Sequence, residues 1–217
     1  MTSTAVRRAV VVLAAGRSSR FGSTKQLAEL DGDPLVVHAV TAACESVADL
    51  VVVVLGHDAP AVEAALRTAT RSGRLDGRRL SLVEVPAGGP QSGSLASGLA
   101  AAAGAHVVAV VLADQPGITA AEVDGVLEAA AAAAERDGRG IARTAHTDRW
   151  SHPVAFAGTS IEELAEGLTG AGDRGGRDLV TGSGVVDVPA AGAAPADVDT
   201  SADLVALRAH RSDRRRG

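Results

Sequence analysis

Aromatic side chains are almost missing from this 217-residue chain: two Phe, one Trp and no Tyr. Proteins that grip single-stranded nucleic acid stack bases on aromatic faces, so the shortage argues against that class. Cysteine is scarcer still. The one thiol, Cys44, permits no disulfide within the chain and no zinc spacing. It falls in a segment with amphipathic helical spacing, where a buried structural role is expected. Positive charge is not in excess either. The formal net charge is −5, which provides no general attraction to a polyanion. The run Arg211, Arg214, Arg215 and Arg216 is the exception, and it reads as a solvated basic tail over 209–217. No hydrophobic run approaches the length of a membrane span. The apolar run Ala9 to Ala15 is short and flows directly into a glycine loop, unlike a signal peptide. A cytoplasmic protein with no membrane or nucleic-acid partner is expected.

What is present is aliphatic. Hydrophobic residues make up 46% of the chain, mostly Ala, Val and Leu, enough for one well-buried core and short for two domains. Val10 to Leu13, Leu50 to Leu55, Leu80 to Val85 and His106 to Leu112 are continuous apolar runs of the kind found in buried parallel strands. Between and after them lie helical spacings at Pro34 to Ser46, Ala59 to Thr70, Ser92 to Ala103 and Thr119 to Arg136. Asp58 is a candidate N-cap for the second, and Thr119 with Glu122 has the spacing of a capping box. This fourfold alternation predicts a single α/β domain, a Rossmann-like three-layer sandwich on a mostly parallel sheet. Beyond Gly138 the pattern loosens. Short strands are expected at Gly140 to Thr144, Pro153 to Ala157 and Val185 to Val188, and helices at Ile161 to Leu168, Arg174 to Val180 and Ala202 to His210.

The richest segment comes directly after the first strand: Leu13, Ala14, Ala15, Gly16, Arg17, Ser18, Ser19, Arg20, Phe21, Gly22, and then Lys25. Small residues let the backbone approach a ligand, and consecutive N–H groups can ring a phosphate. Arg20 and Lys25 supply the positive charge that a triphosphate needs. Neither the dinucleotide fingerprint nor the P-loop fits. The bland alternative is a strand-to-helix loop with solvated cations. Asp114, in Leu112-Ala113-Asp114-Gln115-Pro116, stands just past the fourth apolar run, at the strand end where ligands sit in open α/β sheets. A carboxylate there suits Mg²⁺ held between phosphate oxygens. A turn cap ahead of Pro116 fits the residues equally well.

These motifs resemble the MobA-like nucleotidyltransferases, and most closely the molybdenum cofactor cytidylyltransferases. The first motif of that family, a Leu-Ala-Ala-Gly turn, a Ser-x-Arg-hydrophobic-Gly stretch and a Lys, is matched at Leu13 to Gly16, Ser18, Arg20, Phe21, Gly22 and Lys25. The resemblance covers about residues 8–208. It implies the nucleotide-diphospho-sugar transferase type of fold, with Arg20 and Lys25 neutralising a triphosphate that the loop wraps. Ala15 occupies the position where an alanine goes with CTP enzymes and a glycine with guanylyl-transferring relatives. The family's Gly-Asp-Gln-Pro, whose Asp binds Mg²⁺, corresponds to Ala113 to Pro116, so Asp114 is the implied metal ligand. Ser94, in Ser94-Leu95-Ala96-Ser97-Gly98-Leu99, is implied to face the base. The Gly-Met usual before it is Pro90-Gln91 here. His152 matches a Gly-His-Pro on the acceptor side, with Ser151 replacing the Gly. Asp173 and Arg177 match a segment on that same side. Asp199, in Asp197-Val198-Asp199-Thr200, is implied as a second metal ligand.

The reaction implied is transfer of a nucleoside monophosphate, CMP from CTP, to a phosphorylated acceptor, with pyrophosphate released. By resemblance the acceptor is molybdopterin carrying molybdenum, which in turn implies transient contact with a molybdoenzyme or its chaperone. Attack on an α-phosphorus needs alignment and charge neutralisation rather than a covalent intermediate, and no convincing Ser-His-Asp or Cys-His arrangement stands in the sequence. Three other readings remain open. One is a cytidylyl- or guanylyltransferase acting on another phosphorylated acceptor. The second is a small-molecule oxidoreductase of the nicotine-blue type on the same fold, which would bind a nicotinamide nucleotide. The third is a nucleotide-binding regulator without chemistry.

Overall fold

A computed structural model describes residues 7–170, 175–191, 194–195 and 197–214. The four apolar runs become strands β1 (Arg8–Ala14), β4 (Leu50–Leu55), β5 (Leu80–Glu84) and β6 (Val107–Leu112). A two-strand hairpin, β2 (Glu29–Leu30) and β3 (Asp33–Pro34), precedes helix α1 (Leu35–Glu45). The other helices that alternate with these strands are α2 (Ala59–Arg71), α3 (Gln91–Ala101) and α4 (Ala120–Asp137). The second half adds β7 (Arg139–Ala145), β8 (Trp150–Gly158), α5 (Thr159–Gly170), α6 (Gly175–Thr181), β9 (Val185–Pro189) and α7 (Ser201–Arg214).

Seven strands form one sheet in the order β5-β4-β1-β6-β8-β7-β9. The first four are mutually parallel. Strand β8 runs antiparallel to both β6 and β7, and β9 is parallel to β7. The unbroken valine runs are explained by burial on both faces. Val10, Val12, Val51, Val53 and Val111 face a core shared with α1, α2 and α4. Val11, Val52, Val54, Val108 and Val110 face the opposite core, under α3, α5 and α6. Helix α3 lies unusually close to the sheet. A Cβ on Gly98 would overlap the side chain of Val11, so that glycine sets the helix-to-sheet approach.

The capping box at Thr119 and Glu122 is formed as expected. Three details differ from expectation. Asp58 stands at the N-cap position of α2 but its side chain makes no cap bond: its backbone is left-handed at φ 57, and its carboxylate accepts from Thr24 Oγ1 at 2.8 Å. The β2–β3 hairpin has no counterpart among the expected elements, because two-residue strands carry no period. The last helix continues past His210 to Arg214, taking in part of the expected tail. Among the described residues no helix is long and apolar enough to cross a membrane.

Candidate active site

Topology brings three segments to one edge of the sheet. Strands β1 and β6 are parallel neighbours, so the glycine loop and the Asp114 turn leave side by side. Ala113 N donates to Leu13 O at 3.1 Å across the gap. Strand β9 also ends here, paired at Pro189 with Ala145, and the chain beyond it returns to the site. Val198 N donates to the carbonyl of Asp114 at 3.0 Å, which places Asp197 and Asp199 on the same edge.

The loop after β1 is held from beneath by Gln26, which is 3% exposed. Its Nε2 donates to Ala14 O at 3.2 Å and Gly16 O at 2.9 Å. Its Oε1 accepts from Ser18 Oγ at 3.1 Å, and Ser18 Oγ in turn accepts from Lys25 N at 3.1 Å. Ser18 adopts φ 56 and Gly22 φ 81, turning the chain back on itself. The result is a cleft of about 360 Å³, walled by Leu13, Ala15, Gly16, Ser18, Ser19 and Arg20 on one side and by Ser94, Gln91 and Gly89 on the other.

Charge is concentrated at its floor. Lys25, with its side chain 11% exposed, places Nζ 2.7 Å from Asp114 Oδ2 and 3.1 Å from Asp199 Oδ1. Arg20 Nη2 reaches the other oxygen of Asp199 at 2.9 Å. Burial alone would lower the Lys25 pKa, but the charges and hydrogen bonds of Asp114 and Asp199 outweigh it and hold the ammonium above its ordinary value. The second oxygen of Asp114, Oδ1, is buried and has no hydrogen-bond partner. That side chain is not a turn cap. One oxygen serves the ion pair and the other is uncommitted. Among the described residues no group of three or more His, Cys, Asp or Glu converges as a metal site. Asp114 and Asp199, which share Lys25, are the carboxylates here that could hold a hard cation such as Mg²⁺.

A second cleft of about 400 Å³ adjoins the first and shares Leu13, Gln91, Leu112 and Asp197 with it. Because β8 is antiparallel to β6, its first residues lie at this edge: Trp150, Ser151 and His152 all line the cleft. Arg143 lies over the Trp150 ring at 5.6 Å while donating to Asp187 and to Val180 O, which fixes the indole. Phe156, Leu164 and Leu168 form the apolar wall, and Arg149 and Arg177 sit on the rim. Burial lowers the His152 pKa to about 4, against a smaller opposing effect of Asp197, so its imidazole is neutral near pH 7.

The structure therefore gathers Leu13, Ala15, Gly16, Ser18, Ser19, Arg20, Lys25, Ser94, Asp114 and Asp199 around one cleft, and His152 and Arg177 around its neighbour. Ala14 contributes its carbonyl to the support of the loop, and Gly22 its turn. Two loop residues face elsewhere. Phe21 packs outward on a cluster of Leu30, Leu35, Val198 and Leu204. Arg17 extends across Gly88 towards Ala87 O, 3.5 Å away. Asp173 lies outside the described residues. Sequence reasoning missed Gln26, Trp150, Arg149 and Gln91 as site residues, and it reached Asp197 only as part of a motif. Gln115 is buried and donates through Nε2 to Asp197 Oδ1 at 2.5 Å, tying the turn after β6 to the returning chain.

A family model described as the MobA-like NTP transferase domain matches residues 10–188. The crystal structure of an Rv0371c homologue from Mycobacterium sp. strain JC1 is 30% identical, covers 94% of this chain and 96% of that one, and superimposes with a TM-score of 0.78. Rv0371c from Mycobacterium tuberculosis in complex with manganese is 27% identical over 94% of this chain and 98% of that one, with a TM-score of 0.73. A nucleotidyl transferase from Methanothermobacter is 26% identical, covering 94% and 97%, with a TM-score of 0.73. A sugar-acid CMP synthetase complexed with CTP shares the fold at a TM-score of 0.70 with 15% identity. Among curated relatives, the bifunctional protein GlmU of Anaeromyxobacter sp. (strain K) is 48% identical over 71 residues, which span 32% of this chain and 14% of that protein.

Proposed function

The chain belongs to the MobA-like NTP transferase family, and from that premise we propose that it transfers CMP from CTP to a phosphorylated acceptor, with molybdopterin carrying molybdenum as the acceptor. The observation that carries this reading is the charge arrangement at the cleft floor. Two cations, Arg20 and Lys25, meet two carboxylates, Asp114 and Asp199, in the cleft beside the glycine loop. The donor set fits Mg²⁺: hard carboxylate oxygens, one of them buried and unpartnered. Asp114 and Asp199 would hold the ion. Bound there, it would offset negative charge on the phosphates. The manganese bound by the Mycobacterium tuberculosis relative supports a divalent cation in this fold.

In the reaction, a phosphate oxygen of the acceptor forms a bond to the α-phosphorus of CTP. The bond from that phosphorus to the bridging oxygen breaks, and pyrophosphate leaves with the electron pair. No general base is needed, since a phosphate monoester is largely ionised near neutral pH. Arg20 and Lys25 neutralise charge along the triphosphate, and the loop N–H groups align it. Ala15 in the loop favours cytosine, by resemblance to CTP enzymes. The adjoining cleft suits a flat phosphorylated acceptor. Two of the chain's three aromatic side chains, Trp150 and Phe156, wall it, and Arg149 and Arg177 offer charge to a phosphate.

The test is a melting-temperature screen of CTP, GTP and NADPH, each with and without Mg²⁺, followed by pyrophosphate release with a phosphorylated pterin. CTP with Mg²⁺ is expected to stabilise most. Equal stabilisation by GTP removes the cytidylyl assignment. Stabilisation by NADPH alone overturns the transferase reading in favour of an oxidoreductase.

A further inference from the structure

Lys25 occupies the place between the two carboxylates that a divalent cation would take. Its Nζ is 2.7 Å from Asp114 and 3.1 Å from Asp199, and its side chain is almost enclosed. Arg20 adds a second positive group on the far oxygen of Asp199. Before any nucleotide enters, the site is thus already neutralised by cations covalently attached to the loop. A free divalent ion entering it must displace an ammonium from two carboxylates, or bind beside that ammonium against its repulsion. Either course weakens binding of the ion alone. A triphosphate changes the balance, because it offers Lys25 and Arg20 alternative anions and supplies oxygen ligands of its own.

We propose that Lys25 is a tethered surrogate for the metal, which makes divalent-cation binding conditional on the nucleotide and sets a binding order in which the two enter as one complex. This rests on the nucleotidyltransferase reading of the same cleft and adds to it a regulation by the chain's own lysine. Two features support an exchange. Among the described residues Lys25 is the one cation paired with Asp114, and Asp114 Oδ1 is left over, so the carboxylate is underused in the ion pair. Lys25 also sits at the first residue of a single 3₁₀ turn, Lys25–Leu27, whose backbone is held by Ser18 Oγ rather than by the side chain. The ammonium can therefore swing while the loop stays anchored.

Removing Lys25 then strengthens one ligand while it weakens another. The experiment is a Mn²⁺ titration monitored by electron paramagnetic resonance, with and without CTP, on the full chain. Wild type is expected to bind free Mn²⁺ weakly and to bind it much more tightly once CTP is present. Lys25→Met, which keeps the aliphatic stem, is expected to bind Mn²⁺ without nucleotide at least about tenfold more tightly than wild type, since a full charge a few ångströms away is removed. Lys25→Arg keeps the charge and is expected to stay weak. Lys25→Met combined with Asp199→Asn is expected to lose the gain, which locates the new affinity at this site.

Equal or weaker Mn²⁺ binding by Lys25→Met overturns the surrogate role, whatever CTP does. A gain in Lys25→Met together with no effect of CTP on either protein upholds the surrogate but overturns the nucleotide reading. Circular dichroism of each variant checks that the fold is retained.

Discussion

At the scale of single residues, the site is a set of exchanges between charges, and each can be broken separately. Asp114→Asn keeps size and hydrogen-bonding capacity but removes the charge that would hold a cation. Transfer should fall by about a hundredfold or more, while stability changes by no more than about 1 kcal/mol, since Lys25 keeps its ion pair with Asp199. Pyrophosphate release and thermal melts on the one variant measure both. Lys25→Ala should weaken CTP binding by about 1.5–3 kcal/mol, read by calorimetry. Gln26→Ala is the more damaging change for the fold, because it takes a partner from the buried carbonyl of Ala14 and removes the tie to Gly16 that holds the loop. A stability loss of about 1–3 kcal/mol is expected, with a looser loop and lower CTP affinity. His152 gives a pH signature. Its pKa is about 4 folded against about 6.5 unfolded, so the unfolded state binds the extra proton between those values. Its contribution to stability is complete above pH 6.5 and is lost as pH falls towards 4. His152→Gln should flatten that part of a melting-temperature profile, and an unchanged slope would refute the burial argument. Arg20, Lys25 and Asp114 stood out in the sequence as charges beside a small-residue loop and a strand end, whereas Asp199 was implied only by the family resemblance. Gln26 did not stand out, since a neutral amide inside a single helical turn carries no period and no charge.

At the scale of elements, the parallel half of the sheet was readable to within a residue or two. Leu50–Leu55 has its expected bounds because a strand buried on both faces must be apolar at every position. The other half was harder, since β8 alternates its neighbours and begins with Trp150, Ser151 and His152, whose polarity belongs to the cleft rather than to the strand. Helix α7 shows how an element outside the stretch matched by the family model still shapes the site. Leu204 and Leu207 pack with Phe21 of the glycine loop, and Arg208 donates to Glu29 O. Thr200 and Asp203 cap the helix: Thr200 Oγ1 accepts from Asp203 N at 3.2 Å, and Asp203 accepts from Thr200 N at 2.7 Å. Phe21 thus works from behind the loop and not inside the cleft. Leu204→Ala should cost about 2–5 kcal/mol as a buried truncation and should also lower CTP affinity, although Leu204 lines neither cleft. Calorimetry showing unchanged CTP binding in a folded Leu204→Ala protein would separate α7 from the site.

At the scale of the whole molecule, the one sheet has two directions of travel. Strands β1 and β6 arrive at the working edge with their carboxyl ends, and β8 with its amino end. The cleft at the glycine loop is therefore built from segments that leave a strand, and the adjoining cleft, the acceptor side on the proposed reading, takes residues from a segment that enters one. If CTP binds only the folded state, melting should shift with ligand by mass action, about 2.7 kcal/mol at a hundredfold excess over Kd. A shift that fails to grow with concentration would point to binding in the unfolded chain as well. The reversal of β8 also divides inheritance from invention. Loops 15–25 and 113–116 can stay untouched while the four-residue connection 146–149, between β7 and β8, is rewritten. If the adjoining cleft holds the acceptor, as proposed, what receives the nucleotide would be set separately from what holds it. In the laboratory, grafting that connection between relatives is the natural way to move acceptor preference alone.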